Sequence, residues 1–290
     1  MLATFIAKRS AVGLLVCAER VVAAVLLQLM VQSPAIGQSP RLNNIQLCNG
    51  ADGIMSEPRI KGCTALIESG NEPPRILAVA HNNRGNAYIR VRDLERAIRD
   101  YDQALKIDAG YAKAFNNRGV AYGEAARHDL AIRDFDEAIR LDPNYANAFA
   151  NRAKARLNKG ESDRALLDYD AAIRLRPTLA AWNGRCRAHL VQGNAEVALA
   201  DCDEAVRQDP NDTMALDMRG MAHLRLSQWD RAIRDFNSAL RITPNLASSL
   251  YGRGVAYRAQ GLVEQGDADI AAARLIAPEI LADVAQFGVK

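Results

Sequence analysis

The chain has 290 residues, 49% of them hydrophobic but only 6% aromatic, and a formal charge of +3. Its 37 basic and 34 acidic residues are interspersed, which excludes the basic stripe of a nucleic-acid binder and the charge block of a membrane-surface protein. Much of the apolar content is alanine, which suits close helix packing, and alternating β-branched runs are absent, so the chain reads as all-α.

At the N-terminal end, Lys8 and Arg9 precede an apolar run, Ala11–Ala18, which Glu19 and Arg20 interrupt. A second run, Val21–Val31, leads to Ser33, Pro34 and the small-residue site Ala35-Ile36-Gly37. Residues 1–37 resemble a secretory signal peptide cleaved after Gly37, which predicts a periplasmic or secreted protein. The alternative is an uncleaved tether, but neither run reaches the roughly 20 residues that a spanning helix needs. Lipidation at Cys17 is disfavoured by the bulky Val16 before it and the long apolar run after it.

Residues 38–77 read as a degenerate helical hairpin that caps a stack, its core lying between Ile45 and Gly70 and Glu72-Pro73-Pro74 marking its exit. What it caps is a phrase that returns about every 34 residues: Ala97-Ile98-Arg99-Asp100-Tyr101, Ala131-Ile132-Arg133-Asp134-Phe135 and, with changes, from Ala165, Ala198 and Ala232. Each unit reads as two helices, for example Ala112–Ala126 and Leu130–Leu141, stopped by proline at Pro143, Pro177, Pro210, Pro244 and Pro278 and, in the first unit, by Ala109-Gly110. A small residue recurs on the first helix: Gly85, Gly119, Ala153, Cys186, Gly220 and Gly254. Glycine inside a helix costs about 1 kcal/mol against alanine, so its recurrence implies a packing role. An aromatic slot on the second helix holds Tyr101, Phe135, Tyr169 and Phe236, with Cys202 and Ile270 departing from it.

On these residues the array resembles the tetratricopeptide repeat family, with units at 78–111, 112–145, 146–178, 179–212, 213–246 and 247–280 and a cap at 281–290. The resemblance implies a right-handed superhelical α-solenoid whose concave groove is lined by the first helices. It also implies a non-catalytic scaffold that binds a peptide or protein segment; a structural adaptor of the cell envelope is the alternative. No hydrolase, phosphate-loop, dinucleotide or metal motif is present, so no enzyme activity, cofactor, metal or nucleic-acid partner is expected. The partner is expected to be a protein or peptide, with membrane contact only through the signal segment.

Two cysteine pairs stand out. The midpoint between Cys48 and Cys63 falls in a predicted turn at Met55–Glu57, and that between Cys186 and Cys202 in one at Gly193–Ala195, so each pair is expected to face across a hairpin. In the fourth unit the cysteines also replace both the small and the aromatic slot. Disulfides here predict an oxidising compartment, in agreement with export.

Arg84, Arg118, Arg152, Arg185, Arg219 and Arg253 recur once per unit, as do Asp100, Asp134, Asp168, Asp201, Asp235 and Asp269. Recurrence of both partners predicts a structural rung rather than an anion site. Residues that vary between units while facing the groove are better binding candidates: Asn82, Asn86, Lys113, Asn117, Asn151, Lys154 and Arg187. Asparagine amides both donate to and accept from an extended backbone, and the cations suit acidic groups.

Overall fold

A computed structural model describes residues 39–50 and 55–288; the expected signal segment, residues 1–37, lies outside them. The described residues form helices and no strands. The leading hairpin is α1 (Pro40–Asn49) and α2 (Ser56–Glu68). Six further hairpins follow: α3 (Pro74–Arg90) with α4 (Leu94–Ile107), α5 (Ala112–Glu124) with α6 (His128–Leu141), and α7 (Ala146–Asn158) with α8 (Ser162–Leu175). Then come α9 (Leu179–Val191) with α10 (Ala195–Gln208), α11 (Thr213–Arg225) with α12 (Trp229–Ile242), and α13 (Ala247–Ala259) with α14 (Val263–Ile276). A short helix, α15 (Ile280–Ala285), closes the chain. No helix among the described residues is long and apolar enough to cross a membrane.

Each helix packs on its hairpin partner and on the next hairpin. The first helices of successive hairpins also touch one another, from α3 to α13, while the second helices are held apart. The stack therefore curves with α3, α5, α7, α9, α11 and α13 on its inner face, which is the superhelical solenoid expected from the repeat.

The turn inside each hairpin has a fixed geometry. Arg92, Ala126, Gly160, Gly193, Ser227 and Gly261 occupy the same place and all have positive φ, between 55° and 89°. This left-handed residue ends the first helix two residues before the expected Ala126, and the second begins at His128 rather than Leu130.

The small and aromatic slots meet. A Cβ added at Gly85, Gly119 or Gly220 would lie 2.6–2.7 Å from the ring of Tyr101, Phe135 or Phe236, so glycine lets the ring approach the helix closely at these three places, while the third unit buries Ala153 and Tyr169 together. Where the fourth unit carries cysteine in both slots, Cys186 and Cys202 lie at disulfide distance with Cα atoms 5.4 Å apart. Cys48 and Cys63 are also at disulfide distance, with Cα atoms 4.5 Å apart, and all four cysteines are buried. One part of the expectation needs correcting: α2 already begins at Ser56, so Ser56 and Glu57 are helical rather than part of a turn. Cys48 sits in the last turn of α1 and Cys63 in the middle of α2. They face each other across the hairpin all the same.

The arginine and aspartate rows form a ladder. Arg118 Nε and Nη2 donate to the Asp134 carboxylate at 2.8 and 2.7 Å, while its Nη1 reaches back to Asp102 of the preceding unit at 2.6 Å. Arg152 binds Asp168 and Asp136, Arg185 binds Asp201 and Asp170, and Arg219 binds Asp235 and Asp203 in the same way. Burial alone would raise the pKa of Asp100, but hydrogen bonds from Arg84 and His81 outweigh it and hold the carboxyl below its ordinary value. The leading hairpin has Leu47 and Gly62 at the rung positions, so Arg84 links to it through Thr64 Oγ1 instead, at 2.9 Å. Arg41 pairs with Glu72 through two 2.8 Å hydrogen bonds and fastens α1 to the exit turn.

Candidate functional site

The inner face of the first three units carries a chain of side-chain amides. Asn83 Nδ2 donates to Asn49 Oδ1 at 3.4 Å and Asn82 Nδ2 to Asn83 Oδ1 at 3.3 Å. Asn117 Nδ2 donates to Asn82 Oδ1 at 2.9 Å, Asn116 Nδ2 to Asn117 Oδ1 at 3.3 Å, and Asn151 Nδ2 to Asn116 Oδ1 at 3.0 Å. In the first two units the amides occupy two adjacent positions on the first helix, Asn82 with Asn83 and Asn116 with Asn117, so each of these hairpins hands the ladder to the next. It stops in the third unit, where Ala150 stands in the place of Asn116.

This geometry separates the candidate residues. Asn82 and Asn116 are buried and their amides are engaged within the ladder. Asn82 therefore orients Asn117 rather than offering a free amide of its own. Asn117 and Asn151 are half-buried and keep an edge toward the groove. Asn86 accepts a 2.8 Å hydrogen bond from Tyr101, whose hydroxyl pKa is raised by burial, so this amide is fixed by a phenol that stays protonated.

Asn151 and the exposed Lys154 share a hollow of about 250 Å³ between α5 and α7. Val120, Gly123, Glu124 and His128 also line it, together with the ring of Phe135. None of these four is an asparagine, lysine or arginine, the residue types that mark the candidate groove positions in the sequence, although Val120 shares the slot of Asn86 and Lys154. Lys113 does not reach this hollow. It lines another, of about 410 Å³, with Arg75, Asp108, Asp142 and two tyrosines, Tyr111 and Tyr145. Arg187 lies in the second half of the groove, where its Nη2 donates to Gln286 Oε1 at 3.4 Å.

The second half is chemically different. Asn183 donates to Asp212, and at the equivalent place in the fifth unit Asp217 accepts from Ser248 and Ser249 at 2.9 and 2.5 Å. Burial pushes the Asp217 carboxyl up to about 6, although both hydroxyls oppose the shift. Around it Leu190, Met218, Met221 and Tyr251 are buried in one apolar cluster.

A curved stack of helical hairpins, held by structural rungs and open on a polar inner face, defines the class of helical-repeat solenoids. The chain belongs to the tetratricopeptide repeat family: models of the tetratricopeptide repeat match residues 78–111, 112–145, 135–166 and 151–213, and a TPR repeat model matches 220–261. A search of curated proteins gives no match. Among solved structures, Cut9–Hcn1 of the APC/C hetero-tetramer is similar at TM-score 0.67 and 15% identity, over 80% of this chain and 48% of that one. A tetratricopeptide repeat protein from Parabacteroides merdae matches at TM-score 0.62 and 17% identity, over 81% of this chain and 93% of that one. YrrB, a TPR protein with an unusual peptide-binding site, matches at TM-score 0.51 and 19% identity, over 65% and 98%. At these identities the likeness is one of fold. Membership of the family supports a protein-interaction scaffold.

Proposed function

We propose that this protein binds an extended peptide or protein segment along the inner face of its first three units. The asparagine ladder from Asn82 to Asn151 is the observation that carries the reading. Its amides are locked in orientation by one another, so Asn117 and Asn151 present donors and acceptors to an extended backbone with little ordering cost on binding. Lys154 at the end of the ladder suits an acidic side chain, and the hollow beside it takes that residue or its neighbour. The peptide-binding description of YrrB is consistent with this use of the fold. Replacing Asn117, Asn151 and Lys154 together by alanine is expected to abolish partner capture from native extract. Unchanged capture, with helix content preserved, would remove these residues as the site.

The compartment forms part of the same proposal. A signal-like residues 1–37 and two cysteine pairs at disulfide distance fit a chain exported to an oxidising space, where both pairs are oxidised. Intact mass of the native protein tests this. Loss of residues 1–37 and of four hydrogens is the expected result; a full-length reduced chain sinks it.

A further inference from the structure

The last helix does not extend the stack. In the regular units, the second helix presents apolar residues such as Ile98, Leu105 and Leu240, each under 9% exposed. At the corresponding positions α14 carries Asp267 and Arg274. A further helix finds no apolar seat there, and α15 packs on α13 instead. Its apolar residues Ile280, Val284 and Phe287 follow an i, i+4, i+7 stripe and are 3%, 1% and 5% exposed. They belong to the same buried cluster as Leu190, Met218, Met221 and Tyr251.

Two arginines of the inner face hold the segment in place. Arg225 Nη1 donates to the carbonyl of Phe287 at 2.8 Å, and Arg187 contacts Gln286. Segment 280–287 therefore lies across α9, α11 and α13, inside the groove. The contrast with the first half is direct. Asn86, Val120 and Lys154 are half-buried or exposed; at the same slot Met221 is fully covered, with Arg187 and Val255 half-buried on either side of it.

We propose that the inner face of units four to six is a second docking surface, for a short amphipathic helix with apolar residues at i, i+4 and i+7, and that segment 280–287 is its built-in, displaceable occupant. The stated chemistry follows from what already fills the site: three apolar side chains in a Met- and Leu-lined trough, and a carbonyl at an arginine. Methionine-rich troughs re-pack around different apolar shapes, which suits exchange of one helix for another. The inference rests on the inner face being the binding surface, but on different residues from those of the first half.

The test uses the full chain and a fluorescent peptide of residues 278–288. A variant carrying Val284→Asp and Phe287→Asp ejects the segment and is expected to bind the peptide at least about tenfold more tightly than the parent chain, because the parent's site is mostly occupied. Hydrogen exchange in α11 and α13 should quicken in the variant and slow again when peptide is added. Equal affinity in parent and variant, or no binding by a folded variant, overturns the proposal. Should the double variant lose helix content, Phe287→Ala and Val284→Ala, which weaken the built-in segment and leave the trough intact, each serve in its place, with a smaller gain expected; no gain in either overturns it as well. Peptide binding should be unchanged by the Asn117, Asn151 and Lys154 substitutions, so the two surfaces fail separately.

Discussion

Asp217 occupies the slot that holds Asn82, Asn116 and Asn183 in other units, and it is buried there with two serine hydroxyls as its hydrogen-bond donors. Its pKa of about 6 against an ordinary 3.8 means that the unfolded chain loses this proton first as pH rises. The contribution to stability is therefore full below about pH 4, falls as pH rises to 6, and stays lost above it. The difference of about two units corresponds to about 3 kcal/mol at most. Asp217→Asn is expected to stabilise the protein by about 2–3 kcal/mol at pH 7.5 and by much less at pH 4, as read from urea melts at both values; equal effects at both would refute the assignment. The turn slot yields a second prediction. Gly160, Gly193 and Gly261 take its positive φ freely, but Ala126 holds φ 57° against the steric preference of an L-residue. Ala126→Gly should stabilise by about 1 kcal/mol, and a loss of stability would show that the alanine methyl makes a compensating contact.

Between two helices of one hairpin, the small and aromatic slots act as a lock and a key, and the fourth unit replaces the pair with Cys186 and Cys202. A bridge closing a loop of this length stabilises by about 3 kcal/mol in the chain-entropy model. Reductant is expected to lower the melting temperature of the parent chain. Cys186→Gly with Cys202→Phe, which restores the pattern of Gly119 and Phe135, should fold and lose the component of that response that belongs to this bridge. A response identical to the parent's would mean that the bridge contributes nothing. These elements were legible in the sequence because repetition does the work of an alignment: six copies of one slot reveal a contact that a single copy hides. The same comparison holds the turn slot, since Gly160, Gly193 and Gly261 are in register, but Arg92, Ala126 and Ser227 mask it by composition. The asparagine ladder was half legible. Its members stand at groove positions, yet which amides are buried depends on the packing of neighbouring first helices, and periodicity carries no record of that. The place of α15 was legible only as a cap, because its stripe fixes which face is buried but not against which helix.

At the scale of the whole chain, stability is a sum over hairpins and over the interfaces between them. The arginine ladder supplies both kinds of term from one side chain. Arg118 binds Asp134 within its own hairpin, where the carboxylate side chain is 9% exposed, and Asp102 of the preceding one, which is 46% exposed. Removing the buried partner leaves a guanidinium short of its paired charge, but burial already holds the Asp134 carboxyl above its ordinary range, so Asp134→Asn is expected to cost about 1–3 kcal/mol. Asp102→Asn, at the exposed link, should cost less than about 1 kcal/mol. The sixth unit already shows that an amide serves at the link, because Arg253 Nη1 donates to Asn237 at 2.7 Å. Replacing Asp102, Asp136, Asp170 and Asp203 together by asparagine therefore weakens four interfaces while sparing every hairpin rung. In a one-dimensional array, weaker interfaces lower cooperativity more than they lower the stability of any single unit. The two tryptophans, Trp182 and Trp229, lie in the fourth and fifth units, so fluorescence reports the middle and far end of the stack while circular dichroism reports all of it. In the parent chain the two signals should share one denaturation curve; in the fourfold variant they should separate. Coincident curves in the variant would place the coupling in the apolar contacts between hairpins, and would reduce the outward arm of each arginine to a surface ion pair.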